Sequence, residues 1–209
     1  MTPRYCMCTC RSPACRFRFP AEEADPRGQT CPLCGAPTDR QPFPVTSRTR
    51  AVAPSRRGDN VHLVLDNLRS SYNVGSLLRT ADGAGVAHVH LCGITPRPDH
   101  PGVAKTALGA QENTPWTWHP NGLTLIQAMQ AGGRRVWALE AQPDAPSLFT
   151  LEPPTGPMAL VIGNERAGVD PGILEACDQV AALPMAGGKR SLNAASAGAI
   201  AIYWLCWRA

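Results

Sequence analysis

Apolar and polar positions along this chain follow two rhythms. From residue 61 onward, short apolar runs recur at Val61–Asp66, Val86–Cys92, Arg135–Glu140, Ala159–Gly163 and Val180–Leu183. Their length and their flanking turn residues predict buried strands. Between them the spacing becomes helical. Val74, Leu77, Leu78 and Ala81 share one face of a helix expected over Asn73–Gly85. Helices are also expected over Leu123–Ala131, Leu192–Trp207 and Asp170–Cys177, the last with Asp170 as N-cap and Pro171 in first position. Alternating strands and helices predict an α/β domain with a mainly parallel sheet over residues 59–209. Ligands in such sheets bind at the carboxyl ends of the strands. Polar residues gather there: Glu140, then Gly163-Asn164-Glu165, then the stretch from Pro184 to Asn193.

The first 58 residues lack this rhythm. Six of the nine cysteines lie within the first 34 residues, at Cys6, Cys8, Cys10, Cys15, Cys31 and Cys34. Cys31-Pro-Leu-Cys34-Gly35 has the spacing of a zinc knuckle: two thiolates reach one tetrahedral ion, and the glycine permits the tight turn. Cys10 and Cys15 are the expected partners, with Cys6 or Cys8 able to replace Cys10. Phe17 and Phe19 are expected to form a minimal core. So short a segment cannot hold itself by burial alone, so structural zinc would supply the folding energy. The reading is a zinc-ribbon-like module over 1–38, then a Pro/Arg-rich basic linker over 39–58.

Composition sharpens this picture. At 44% hydrophobic the chain can bury a core, and the net charge of +4 is unevenly placed. Residues 1–58 carry ten arginines against four acids, while residues 59–209 are net negative. A basic N-terminal quarter suits a polyanionic partner. No apolar run is long enough to span a bilayer, and the N-terminus has no signal-peptide core, so a cytoplasmic protein without membrane contact is expected. Cysteines in that compartment argue for metal or buried thiols over disulfides.

Two familiar nucleotide sites are excluded. Gly188-Lys189 is followed by Arg190 with no glycine at P-loop spacing, and no G-x-G-x-x-G follows an expected strand. What remains at 183–205 is an apolar run, a glycine loop with Lys189 and Arg190, and then Ser191 and Asn193 opening an Ala-rich helix. Flexible glycines and free N–H groups suit a grip on a small ligand.

Three ordered segments carry a resemblance: Asn73-Val-Gly75-Ser-Leu-Leu-Arg79-Thr80-Ala81, Ile162-Gly163-Asn164-Glu165 with Gly168, and Leu183-Pro184-Met185 through Ser191-Leu192-Asn193. Together they resemble the SpoU (TrmH-like) branch of the SPOUT RNA methyltransferases, over about residues 60–207. Lys105–Ala110 is similar to a substrate loop of that family. The resemblance implies an α/β sheet ending in a deep trefoil knot and S-adenosylmethionine as cofactor. It further implies a homodimer, and methylation of a ribose 2′-hydroxyl in rRNA or tRNA. Carried over by position, Arg79, Asn73, Glu165, Ser191 and Asn193 would be catalytic. Arg79 would stabilise the developing alkoxide or a phosphate, or act as base. Leu139, Gly163, Leu183, Met185 and Leu192 would contact the cofactor. Lys105, Arg166, Lys189 and Arg190 would face RNA. Arg166-Ala167 and Ala194-Ala195 depart from the usual family pattern without removing a catalytic residue. A non-catalytic RNA-binding protein and a base methyltransferase are the competing readings.

Overall fold

The computed structural model describes residues 4–43 and 60–208, which fall into two compact units. The N-terminal unit is an antiparallel sheet of β1 (Tyr5–Cys10), β2 (Arg18–Glu22) and β3 (Thr38–Pro42), in the order β2-β1-β3. The period-2 alternation of β1 buries Cys6, Cys8 and Cys10. Cysteines therefore occupy the positions that aliphatic residues fill in an ordinary strand. Phe17, expected in the core, is 40% exposed. Residues 39–42 of the expected linker belong to β3, and residues 44–58 lie outside the described residues.

The second unit runs β4 (Val61–Asp66), α1 (Ser71–Ala84), β5 (His88–Cys92), α2 (Pro101–Ala107), α3 (Ala110–Asn113), β6 (Trp116–His119), α4 (Gly122–Ala131), β7 (Arg135–Leu139), β8 (Met158–Ile162), α5 (Pro171–Ala176), β9 (Gln179–Ala181) and α6 (Ala194–Trp207). Its six strands lie in the order β6-β5-β4-β8-β7-β9, and every pairing is parallel. The α/β expectation is met.

Both faces of the central strands are buried, as a parallel sheet requires. Leu63 and Leu65 of β4, Leu160 and Ile162 of β8, and Trp137 and Leu139 of β7 pack with α1, α2 and α6. The alternate residues, Val64, Val161 and Ala138, pack with Ile126 of α4 and Ile173 of α5. A fully buried Leu or Ile of this kind contributes about 1.5–3 kcal/mol. Helices α1 and α2 meet closely at Gly75, where a Cβ would collide with Val103 O and Thr106 Oγ1.

Capping moves three expected boundaries. Ser70, not Asn73, caps α1, its Oγ accepting the Asn73 N–H at 3.3 Å, and left-handed Gly85 closes that helix. Asn193 caps α6 by accepting the N–H groups of Ala195 and Ser196, which leaves Ser191 in the preceding loop. Lys105, expected in a loop, lies within α2.

Candidate active site and cysteine centre

The three resemblance segments come together at the carboxyl ends of β4, β8, β7 and β9. Glu165, in the turn after β8, accepts three N–H groups. Its Oε2 takes the Arg69 N–H at 2.9 Å. Its Oε1 takes the Ser70 N–H at 3.0 Å and Asn73 Nδ2 at 2.9 Å. Burial works against its charge, but these donors outweigh it and hold the carboxyl below its ordinary range. Asn73 Oδ1 in turn accepts from Asn193 Nδ2 at 3.1 Å. One chain of side chains thus joins positions separated by 92 and 120 residues.

Beside this chain lies a cleft. Its walls include Leu139, Ile162, Gly163, Leu183, Met185 and Leu192, with Glu140, Glu165, Arg166, Arg190 and Ser191 also lining it. All five residues expected at the cofactor line this one cleft. Gly163 has no room for a side chain: a Cβ would strike the backbone of Gly168 and Val169. That close approach closes a tight turn in which Asn164 and Gly168 exchange backbone hydrogen bonds at 2.9 Å. Asn164 Oδ1 also accepts the N–H groups of Arg166 and Ala167, so the turn is held from inside.

Other expected residues stand apart. Arg79 is exposed on α1, does not line the cleft, and has no side-chain partner among the described residues. Lys105 lies over the Tyr72 ring at 5.9 Å. Lys189 is exposed in the loop before α6 and also does not line the cleft.

Glu140, expected at a strand end, and Asn67 and Asp66, absent from the expected site residues, hold the turn from behind. Glu140 Oε2 accepts the Val169 N–H at 2.9 Å. Asn67 takes a left-handed backbone, φ 54°, and its carbonyl accepts from Asn164 Nδ2 at 2.6 Å. Asp66 is buried; burial raises its pKa, against hydrogen bonds from Asp170 N–H and the Asn67 amide. The Asp66-Asn67 pair at the end of β4 was the available signal, because Asn tolerates the left-handed region.

In the N-terminal unit, the Sγ atoms of Cys10, Cys15, Cys31 and Cys34 all lie within 4.8 Å of one another. Cys10–Cys34 is 3.4 Å and Cys15–Cys31 is 3.8 Å. Four thiolates about 2.3 Å from a tetrahedral zinc ion are separated by about 3.8 Å, so the donor set fits that metal. Burial opposes charge on Cys31, but the N–H groups of Cys34 and Leu33 and the thiols of Cys34 and Cys10 bring its pKa down to about 7. Cys6 and Cys8 pair with each other at 3.8 Å instead, and Arg40 Nε donates to Cys6 at 3.2 Å. Burial pushes the thiols of buried Cys92 and Cys206 and partly buried Cys177 up to about 12.

The comparisons agree with this geometry. Among curated proteins, the chain is 35% identical over 168 residues to the 23S rRNA (guanosine-2'-O-)-methyltransferase RlmB of Burkholderia sp, covering 76% of this chain and 66% of that one. It is 33% identical over 141 residues to the RlmB of Vibrio parahaemolyticus, covering 68% and 56%. The chain therefore spans less than two thirds of the length of these relatives. Among solved structures, it is similar to the AdoMet-bound rRNA methyltransferase from Sinorhizobium meliloti, with TM-score 0.65 and 26% identity over 74% of this chain and 60% of that one. The SpoU methyltransferase AviRb from Streptomyces viridochromogenes matches with TM-score 0.64 and 26% identity, covering 87% and 70%. A model of the SpoU rRNA Methylase family matches residues 60–203. That span takes in β4 through most of α6, and the chain belongs to the SpoU rRNA Methylase family.

Proposed function

We propose that this chain is an S-adenosylmethionine-dependent RNA methyltransferase acting on a ribose 2′-hydroxyl of rRNA or tRNA. The observation that carries the reading is the Glu165–Asn73–Asn193 chain beside a cleft lined by all five residues expected at the cofactor. Relatives named as guanosine 2′-O-methyltransferases of 23S rRNA make rRNA the first substrate to test.

S-adenosylmethionine supplies a methyl group on a positively charged sulfur. The chain has to bind that cofactor, orient a 2′-oxygen behind the methyl and manage the departing proton. Leu139, Leu183, Met185 and Leu192 bury the apolar parts, and Gly163 lets the turn through Gly168 and Val169 pack tightly into the wall of the cleft. Glu165 fixes Asn73 and the first turn of α1, which sets the geometry of attack; positioning of this kind supplies several kcal/mol. Arg166 and Arg190 line the cleft and would meet phosphate, with Ser191 beside them and Lys105 and Lys189 further out. Arg79 assists from outside the cleft, stabilising the developing alkoxide or clamping a phosphate.

A homodimer accounts for the place of Arg79. Ile200, Tyr203 and Trp207 form an exposed apolar stripe on α6. A Cβ at Gly83, one turn beyond Arg79, would meet the Tyr203 hydroxyl at 3.0 Å, so Arg79 borders that stripe. Two copies meeting there would bring Arg79 to an RNA shared between them. The family implies a trefoil knot, and the 147–151 segment touches the chain on both sides of residues 183–207, as such a knot requires: Leu148 N–H donates to Ala182 O, and Arg208 donates to Leu151 O. A structural zinc ion on Cys10, Cys15, Cys31 and Cys34 completes the N-terminal module.

Calorimetric titration with S-adenosylmethionine tests the cleft. One site per chain is expected, abolished by Gly163→Val; no binding to the parent chain would return the reading to a non-catalytic RNA-binding protein. Among the described residues no helix is long and apolar enough to cross a membrane.

A further inference from the structure

The segment Arg16-Phe17-Arg18-Phe19 leaves the cysteine centre and enters β2. Cys6, Cys8, Cys10 and Cys31 supply the buried apolar groups of the module, so the outer ring is not needed there. Phe19 is half-buried and sits opposite Cys8 in the strand register. Phe17 stacks on it, with ring centroids 5.9 Å apart and planes at 24°, and remains 40% exposed. The stack is anchored on its inner side and open on its outer side.

The two arginines flanking Phe17 differ from the others of the module. Arg11 pairs with Asp39, Arg27 pairs with Asp25, and Arg40 donates to Cys6 and to the carbonyls of Glu22 and Glu23. Arg16 and Arg18 are exposed and have no side-chain partner among the described residues. The backbone between them is fixed. Arg16 has φ 49°, an uncommon conformation for a non-glycine residue. Its N–H donates to Ser12 O at 3.0 Å, and Phe17 O accepts the Cys10 N–H at 2.8 Å. The loop through Cys10 and Cys15 therefore holds Phe17 out. Backbone held in a sparsely populated region is often tied to function. β2 is also an edge strand of its sheet.

We propose that Arg16, Phe17 and Arg18 form a binding site for unpaired RNA, with a nucleobase stacked on Phe17 and adjacent phosphates held by the two guanidinium groups. An exposed ring beside unpaired cations is the combination that single strands use, because every base has a face to stack and every nucleotide a phosphate to pair. A duplex keeps its base faces hidden and gains only the charge contacts. The site extends the RNA-methyltransferase reading by assigning RNA capture to the N-terminal module, but it does not require methyl transfer.

The test uses the full zinc-loaded chain and fluorescence anisotropy with a short labelled oligouridylate and with duplex RNA of equal length. Phe17→Ala and Phe17→Leu, the second keeping apolar bulk, are expected to weaken oligouridylate binding about tenfold while duplex binding changes less. Phe17→Tyr should stay within about twofold, since it keeps the ring. Arg16→Ala with Arg18→Ala should lower the salt slope by about 1–2. Zinc content and S-adenosylmethionine affinity should match the parent. Oligouridylate binding by Phe17→Leu that equals the parent's, with zinc retained, overturns the site and leaves the ring as a protein contact or plain surface. Phe17-dependent oligouridylate binding by a chain that transfers no methyl to cellular RNA upholds this site and removes the methyltransferase reading; methyl transfer to cellular RNA by a chain whose oligouridylate binding is indifferent to Phe17 does the reverse.

Discussion

Replacing Glu165 by Gln is the sharpest perturbation of the candidate active site. The carboxylate offers two acceptor oxygens to three donors: Arg69 N–H, Ser70 N–H and Asn73 Nδ2. An amide of the same shape has one acceptor oxygen. Its better orientation keeps that oxygen on Ser70 and Asn73 and turns an N–H₂ against the Arg69 N–H. One charge-assisted hydrogen bond, worth about 1.5–3 kcal/mol, is lost. Glu165 is exposed, so water takes up part of the loss, and a stability cost of about 1–2 kcal/mol is expected. Methyl transfer should fall about tenfold as Asn73 loosens. Equilibrium urea denaturation of parent and variant at several pH values is the assay. Because the folded-state pKa of Glu165 is lowered, its charge stabilises the fold above the unfolded pKa of about 4.3, and that contribution fades as pH falls through the lower folded value. The gap between parent and variant should therefore be full at neutral pH and shrink in acid. Equal stability at neutral pH, or a gap that does not shrink, would refute the reasoning.

Three further outcomes follow from the same structure. His62, His90 and His119 form a chain across β4, β5 and β6 with N···N contacts of 3.0 Å, and burial lowers His62 to about 4 and His90 to about 3, assisted by Arg134 and the neighbouring rings. Lowered histidines withdraw stability as pH drops below about 6.5, so the parent should lose about 3 kcal/mol between neutral pH and pH ~4.5 after discounting half-exposed His62, and His90→Gln should lose clearly less; parallel titrations would contradict this. Chelation of zinc should unfold the N-terminal unit while the far-ultraviolet signal of the α/β unit persists, and Cys31→Ser should mimic chelation; an unchanged N-terminal unit in metal-free buffer would sink the assignment. Asn193→Ala removes both the α6 cap and the donor to Asn73, and should cost about 1–2 kcal/mol in urea denaturation, with Asn193→Asp restoring the cap but not the donor.

The parallel sheet was legible because its central strands are apolar on both faces: Leu63 and Val64, or Leu160 and Val161, alternate between two buried clusters. Strand β6 was not, because Trp116, Thr117 and Trp118 lie on an exposed edge and show no inward apolar period. The three strands of the N-terminal unit were hidden by cysteines in the buried positions of β1. In the cleft, Gly163, Leu183, Met185 and Leu192 were accessible through the ordered segments, and Leu139 through its family position at the end of a strand. Two of the three donors to Glu165 were not, since they are backbone N–H groups at Arg69 and Ser70, where side-chain identity carries no signal. The start of α1, expected at Asn73, was hidden for the same reason: Ser70 and Asn73 are both good caps, and only the backbone decides between them.

The most direct test of the central claim is ribose-methylation mapping of rRNA and tRNA from cells with and without this gene, followed by transfer of labelled methyl from S-adenosylmethionine to the unmodified RNA by the purified chain. The account predicts one 2′-O-methylated nucleotide that disappears with the gene and is restored in vitro by the parent chain, with Glu165→Gln about tenfold slower. Unchanged ribose methylation in both RNA classes, or label recovered on a base, would contradict it.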